Sequence, residues 1–548
     1  MNRVTTTLGA FPPLQNTPFV DDWVYAWSVE HLLRTGRLEV LDLSSNMNLA
    51  QVAWGSLFCL PFGFSFVALR VSTIVLAVAG LCGLYLLLRE LQVARTQAVV
   101  GSAVLAIHPV FSILSVTFMT DVPFVSFAVL ASAAFVRALR RKQVRWLAVA
   151  GLFAGLATAV RHPGVVISIA MLLTLLCAPD RWGRGRGRWV IAAIPLLFVV
   201  PLIAWTLSHT NHVADLTWIR NTPGFRLAML REYALRFFPT MLGETYALIC
   251  GTVGLAILPI AIACARRHLC KSVSVCFVCL AIPLVAMEAL GVDYGLPLQT
   301  GQIWAANELG GTSLLVPEHK GPRVPVVIGW VALGLGTFSL AAAAAACWVS
   351  GRNRRTFASA FFEMRANPSV AFLVLMILGF AVLGAVLWLI GDRYALILVP
   401  LFIALVLAAK PSLSVRAAGL AIACYALFTA AGVRDHLQYN SALWSAVETL
   451  RPSVPDSEIN GGYVVNGWLQ YAHPQQAHHD ADGNVDVPWV NGVYDPPYAI
   501  ANGIIDGWEV LQTIGYNRWL GPAGKIYVLR RNGEGVKRRN EEAAKLRN

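Results

Sequence analysis

Long apolar stretches without charge recur through most of this chain, and they decide what it can fold into. Residues 369–391 carry no charged side chain, and neither do residues 326–350. Roughly 20 such residues wound as a helix cross the hydrocarbon core of a bilayer. In lipid every backbone N–H and C=O must be paired, so these stretches are expected as helices and not as open sheet. Spans are expected at 65–89, 96–116, 121–139, 146–161, 163–179, 189–208, 241–265, 271–290, 325–349, 369–391, 394–410 and 415–433, about twelve in all. Charged residues make up 13% of the chain, against about 25% in soluble domains. The expected fold class is an α-helical polytopic membrane protein.

The net charge is +13. In a membrane protein this points to arginines in cytoplasmic loops and to anionic lipid, not to nucleic acid. The basic residues do alternate between loops. One set holds Arg89 and Arg95, then Arg137, Arg140, Arg141, Lys142 and Arg145, then Arg181 to Arg188, Arg266, Arg267 and Lys271, Arg352 to Arg365, and Lys410 with Arg416. The positive-inside rule makes that side cytoplasmic. Asp21, Asp121, Arg161, Arg393 and the C-terminal region then share the extracytoplasmic face of a cell (inner or plasma) membrane.

Three domains are expected. Residues 1–64 form an external loop with an acidic motif and two surface helices, and residues 65–433 form the transmembrane domain. Residues 434–548 form a small extracytoplasmic α/β domain with a charged tail from Lys537. There, Ser441 to Leu450 reads as a helix, and Gly462–Val465 and Lys525–Leu529 read as strands. No cysteine lies beyond Cys424, so this domain has no disulfide framework. His478-His-Asp-Ala-Asp482 could hold a metal, but a solvated Asp/Gly turn is the better expectation, because the ligand spacing is unordered.

The acidic motif opens Phe19-Val-Asp-Asp-Trp-Val-Tyr-Ala-Trp. Asp21 is placed to cap a helix, where negative charge is favoured. Trp23 and Trp27 fall one turn apart and suit a membrane surface. A second amphipathic stretch, Leu49 to Leu60, is too short to span. Further ionisable residues gather at span ends on the same face. Asp121 lies in Phe118-Met-Thr-Asp-Val-Pro123, Arg161 and His162 precede Pro163, and Asp392 and Arg393 precede Tyr394. Taken singly, Asp121 could be a helix cap, and the arginines could snorkel to head groups. Together they suit an anionic, lipid-linked substrate, since the guanidinium fork matches phosphate oxygens.

These motifs resemble the C-superfamily of integral membrane glycosyltransferases, in the branch of the protein O-mannosyltransferases and the bacterial aminoarabinose transferases of lipid A (family 39-type). The similarity runs from about residue 19 to 435, and more weakly to Gly461-Gly-Tyr-Val-Val-Asn-Gly467. It implies a polyprenyl-phosphate sugar donor and an acceptor lipid, glycan or protein. By the same resemblance Asp21 is the catalytic base, with Asp22 beside it. Asp121 matches a second acidic site that is linked in parts of the superfamily with metal or acceptor binding, which leaves a divalent metal open. Arg393 and Arg161 are assigned to the donor phosphate, and Asp121, His162 and Tyr394 to substrate.

Two departures stand out. Members carry a transmembrane helix before the acidic pair, absent from residues 1–20, so a start further upstream and thirteen spans are expected. The aminoarabinose branch also has a lysine near the second surface helix. Here that region offers Asn46, Asn48 and Gln51, which moves phosphate binding to the arginines and disfavours lipid A as acceptor. The alternative class is a transporter or lipid flippase. It would need midplane charges or symmetric halves, and neither is evident.

The orientation is open to test. In a cysteine-free background, cysteines introduced at Gln143 or Asn353 should resist a membrane-impermeant thiol reagent in intact cells, whereas Gln475→Cys should react. Labelling of position 353 from outside would reverse the assigned topology.

Overall fold

The computed structural model describes residues 15–177 except 42, 45 and 46, then 191–204 except 192 and 203, and 235–264, 270–289, 326–350, 367–386, 392–488 and 495–532. Among the described residues, six helices are long and apolar enough to cross a membrane, or up to eight if two bent pairs each count as one. The fold is mostly helical. Several of the expected spans lie partly outside the described residues, 189–208 among them, and several apolar helices within them are shorter than a full span.

Helix α1 covers Asp22–Thr35 and α2 Leu49–Cys59. The long α3, Phe66–Glu90, starts where the Ser65 hydroxyl accepts from the Ala68 N–H. The expected span 96–116 is broken into α4, Arg95–Ala106, and α5, Pro109–Ser115, at an angle of 67°. His108 lies at the break, just before Pro109, which cannot continue a helix's hydrogen bonding. Helix α6, Asp121–Arg141, packs between α3 and α7, Val144–Val160, at the centre of the bundle. Small residues allow the close approach: a Cβ on Gly80 would sit 2.4 Å from the Ser126 hydroxyl.

The last long helix, Val415–Leu450, runs without a break from apolar span into the C-terminal domain. The domain boundary expected at 433/434 therefore falls inside one helix. Its later turns place Tyr439, Leu443, Trp444 and Val447 against a four-stranded sheet. The strands are β1 (Ile459–Asn460), β4 (Tyr498–Ala501), β5 (Trp508–Tyr516) and β6 (Gly524–Arg531), in the order β1-β4-β6-β5. β1 pairs parallel with β4, and the other pairs are antiparallel. β2 (His478–His479) and β3 (Val485–Asp486) form a separate hairpin. Residues 525–529 are a strand as expected. Gly462–Val465 is not: it lies in a helix, Gly462–Asn466. Gly462 at φ +78° and the Asn466 carboxamide, which accepts from the Gly461 N–H and donates to Asn460, turn the chain out of β1 into that helix.

The C-terminal domain closes on α1. Trp23, expected on a membrane surface, is fully buried in protein, edge-on to Tyr463 and Tyr471. A Cβ on Gly467 would lie 2.3 Å from the Trp23 ring. The Trp444 indole N–H donates to the Pro18 carbonyl at 3.0 Å, and His473 meets Glu30 at 3.0 Å. Gly467→Ala should therefore overpack this seam and cost about 1–3 kcal/mol. Gly419→Ala, on an open face of the long helix with nothing within 4 Å, should be neutral or stabilising by up to about 1 kcal/mol. Thermal unfolding of both variants in detergent checks the contrast.

Candidate functional site

The acidic motif sits on a strained turn. Val20, a β-branched residue, has φ +55°, a left-handed conformation that such a residue avoids. The turn is held from several sides. The Phe19 N–H donates to Asp22 at 2.6 Å, and the Asp22 N–H returns to the Phe19 carbonyl at 3.2 Å. Arg70, in the first turns of α3, donates to the Gln15 carbonyl and, at 2.5 Å, to the Thr17 carbonyl, and lies 3.6 Å from Asp22. Arg70 and Asp22 are both buried, 2% and 0% exposed. Asp22 therefore stands in the wall of the site, not on its open face. Burial lifts its carboxyl from 3.8 to about 6, while the Arg70 charge and the Phe19 N–H pull the other way.

Asp21 is the exposed partner of the pair. It occupies the N-cap position of α1, but its side chain makes no capping hydrogen bond. Its carboxylate instead meets Arg393 at 2.7 Å, across 372 positions of sequence. Arg393 stands on a helical turn, Asp392–Ala395, and uses the second arm of its fork on the Tyr394 hydroxyl at 3.0 Å. Two more phenols adjoin the carboxylate. Tyr463, from the C-terminal domain, hydrogen-bonds to Asp21, and burial followed by the Asp21 charge pushes its pKa well up. Tyr25 is pushed up to about 12 by burial and then by Asp21. Both stay protonated at neutral pH and keep their O–H as a donor.

A second ion pair lies alongside. Arg161, the residue that ends α7, donates to Asp121 at 2.7 Å, and its guanidinium is 5.4 Å from the Tyr394 ring centre. Arg393 lies 4.9 Å from the same ring. Both guanidinium groups therefore lie within 6 Å of one tyrosine ring, that of Tyr394. The second Asp121 oxygen is buried and has no hydrogen-bond partner among the described residues. His162 follows Arg161 in a 3₁₀ turn and is half-buried. The structure thus gathers Asp21, Arg393, Tyr394, Arg161 and Asp121. Asn46 lies outside the described residues, as does the Asp392 side chain. Asn48 and Gln51 are fully buried in structural bonds, to Ser44 and to the Phe118 carbonyl, so they are not on an open face.

Neither position left open to a metal gains support among the described residues. Among the described residues, no three His, Cys, Asp or Glu side chains cluster to hold an ion. Asp121 already faces an arginine, whose charge opposes a cation. In the His478–Asp482 stretch, Asp480 accepts from the N–H groups of Asp482 and Asn484, as a polar turn does.

Arg70, Tyr25 and Tyr463 escaped the sequence-based site. Arg70 left a clear signal, since it is a charge inside the expected span 65–89, where charge is costly. Tyr463 lies in the weakly similar stretch Gly461–Gly467, but nothing there gives it a place at Asp21, which it reaches only through the fold of the last domain.

Residues 53–205 match the family model for dolichyl-phosphate-mannose-protein mannosyltransferases, in line with the glycosyltransferase motifs. No curated protein matches the chain in sequence. Among solved structures, the chain is similar to ArnT from Cupriavidus metallidurans in the apo state, at 12% identity, TM-score 0.38 and 94% coverage of both chains. ArnT from that organism bound to undecaprenyl phosphate is similar at 13% identity and TM-score 0.37, covering 94% of this chain and 95% of that one. The oligosaccharyltransferase AglB from Archaeoglobus fulgidus, in complex with an inhibitory peptide and a dolichol-phosphate, is similar at 15% identity and TM-score 0.44, covering 89% of this chain and 66% of that one.

The wall of the site is testable through Arg70. Removing one partner of a buried ion pair costs about 3–5 kcal/mol, because the other charge is left uncompensated. Arg70→Met should lower the thermal midpoint, and adding Asp22→Asn should restore part of it. With its pKa raised to about 6, Asp22 favours the fold fully below 3.8, and that contribution is lost as pH rises through 6. The Arg70→Met deficit should therefore be larger at pH 8 than at pH 5, where the lone carboxyl takes a proton.

Proposed function

Starting from a membrane glycosyltransferase whose residues 53–205 carry the protein-mannosyltransferase pattern, we propose that the chain moves a sugar from a polyprenyl-phosphate donor to an extracytoplasmic acceptor, with inversion. The observation that carries this is the ion pair of Asp21 with Arg393, joining the tip of α1 to the turn at 392–395. It sets a carboxylate beside an arginine fork, the two groups that transfer from a sugar phosphate requires.

The acceptor hydroxyl attacks the anomeric carbon while the carbon–oxygen bond to the phosphate breaks. Asp21 takes the hydroxyl proton, and Arg393 stabilises the charge on the departing phosphate. The phosphate leaves without protonation, so no second carboxylic acid is needed, unlike glycoside hydrolysis. Donor binding and base activation are coupled. While Arg393 is paired with Asp21, one oxygen of that carboxylate is taken up by the guanidinium. An incoming phosphate competes for the guanidinium and leaves Asp21 with phenol donors alone. Asp121 and Tyr394 border the sugar and the head of the lipid, with His162 beside Arg161.

A panel of radiolabelled polyprenyl-phosphate sugars, offered to membranes holding the protein, tests the reading directly: label should move from one donor to an acceptor on the extracytoplasmic side. Asp21→Asn should insert and accumulate yet lose transfer, and near-normal turnover would remove Asp21 from the base role. Arg393→Lys keeps the charge but loses the fork, so donor use at subsaturating concentration should fall by about tenfold or more, on the order of 1.4 kcal/mol. Equal performance by lysine would leave Arg393 as an interfacial anchor.

A further inference from the structure

We propose that the tip of the β5–β6 turn, Trp519 and Leu520, rests in the membrane–water boundary and fixes the C-terminal domain on the bilayer beside the long helix. The turn connecting β5 to β6 carries Trp519 at 54% and Leu520 at 42% exposure. Exposed turns ordinarily carry small or polar residues, and a large aromatic beside a leucine at such a tip marks a contact surface.

The partner follows from where the turn is held. Asp435, buried on the long helix, accepts the Trp519 N–H at 2.7 Å and the Leu520 N–H at 2.8 Å. Its neighbour Arg434 donates to the Asn517 carbonyl at 3.2 Å and lies 4.4 Å beneath the centre of the Trp519 ring. Both grips stand just beyond the apolar part of that helix. Leu420 and Leu427, 70% and 73% exposed, lie on one stripe of it, and Arg434 continues the stripe. Residues seven apart share a helix face and are about 10 Å apart along the axis. Trp519, stacked on Arg434, therefore prolongs the lipid-facing stripe by one step, to the depth at which lipid hydrocarbon gives way to head groups. Tryptophan prefers that depth, and Arg434 is spent holding the turn from beneath.

Photo-crosslinking of the full-length protein in nanodiscs of zwitterionic and anionic phospholipid tests this. A diazirine-bearing leucine analogue is placed at Leu520, at Leu427 as the lipid-facing reference, and at Glu448, exposed three heptads beyond Leu427 on the same helix. Lipid adducts at 520 should approach those at 427 and exceed those at 448 by at least about tenfold. A diazirine phenylalanine at Trp519 reads the same contact should the Leu520 variant fail to accumulate. Adducts at 520 as rare as at 448 would overturn the proposal. So would adducts at 520 that join protein to protein instead of lipid, which would assign the tip to a second copy of the chain.

Discussion

The fully buried pair of Arg70 and Asp22 is the constraint from which the site is built. An arginine this deep is tolerated only if its charge is matched and the arms of its fork are occupied. Asp22 matches the charge of Arg70, and the carbonyls of Gln15 and Thr17 take a donor from each arm of its fork, while its buried Nε has no hydrogen-bond partner among the described residues. Arg70 thereby ties the first turns of α3 to the segment leading into α1. That tie helps explain how Val20 is held left-handed: residues on both sides of it are fixed, and the strain is absorbed by partners elsewhere. The consequence falls on Asp21. With Asp22 anchored inward, the adjacent carboxylate projects to the other side, where Arg393 waits.

The C-terminal domain is a wall of the same site. It reaches α1 through an unbroken helix of 36 residues, so its position is rigidly linked to the bundle. Trp23 fills the space above Gly467, where any side chain would collide with its ring. Tyr463, four residues earlier, then meets Asp21. Asp21, the proposed base, takes a hydrogen bond from the C-terminal domain and depends on that domain for its orientation, and so a change at the seam is felt at the carboxylate.

Much of the architecture was legible because lipid imposes a simple rule: uncharged apolar runs become helices. The clustering of Asp21, Asp121, Arg161, Arg393 and Tyr394 was legible as well, since each is a polar residue at the end of such a run. The pairing within the cluster was not. Nothing in the spacing says that Arg161 belongs to Asp121 and Arg393 to Asp21. Asp21 was read as a cap because acidic residues before helices usually cap; tertiary attraction to Arg393 overrode that preference. Gly462–Val465 was read as a strand from two adjacent valines, and the Asn460–Asn466 carboxamide bond made it helical. Trp23 was read as an interfacial residue from its type, whereas a glycine 444 positions away supplies its cavity.

The two arginines differ in a way that bears on which would meet a donor phosphate. Arg161 and Asp121 are 8% and 1% exposed, so separating them would strand a charge in a poorly solvated place. Arg393 and Asp21 are 21% and 24% exposed, and water can stabilise either group while partners change. Arg393 also has less to give up, since Tyr394 can keep hold of one arm of its fork while the other turns to a new anion. The deeper pair then acts as a fixed field. Its positive end lies 5.4 Å from the centre of the Tyr394 ring, and the bond to Asp121 keeps Arg161 from competing for Asp21. Two carboxylates and two guanidiniums balance in the resting site. A phosphate entering it would make the site net negative, and the group best placed to respond is Arg393, whose present partner is the proposed base, Asp21.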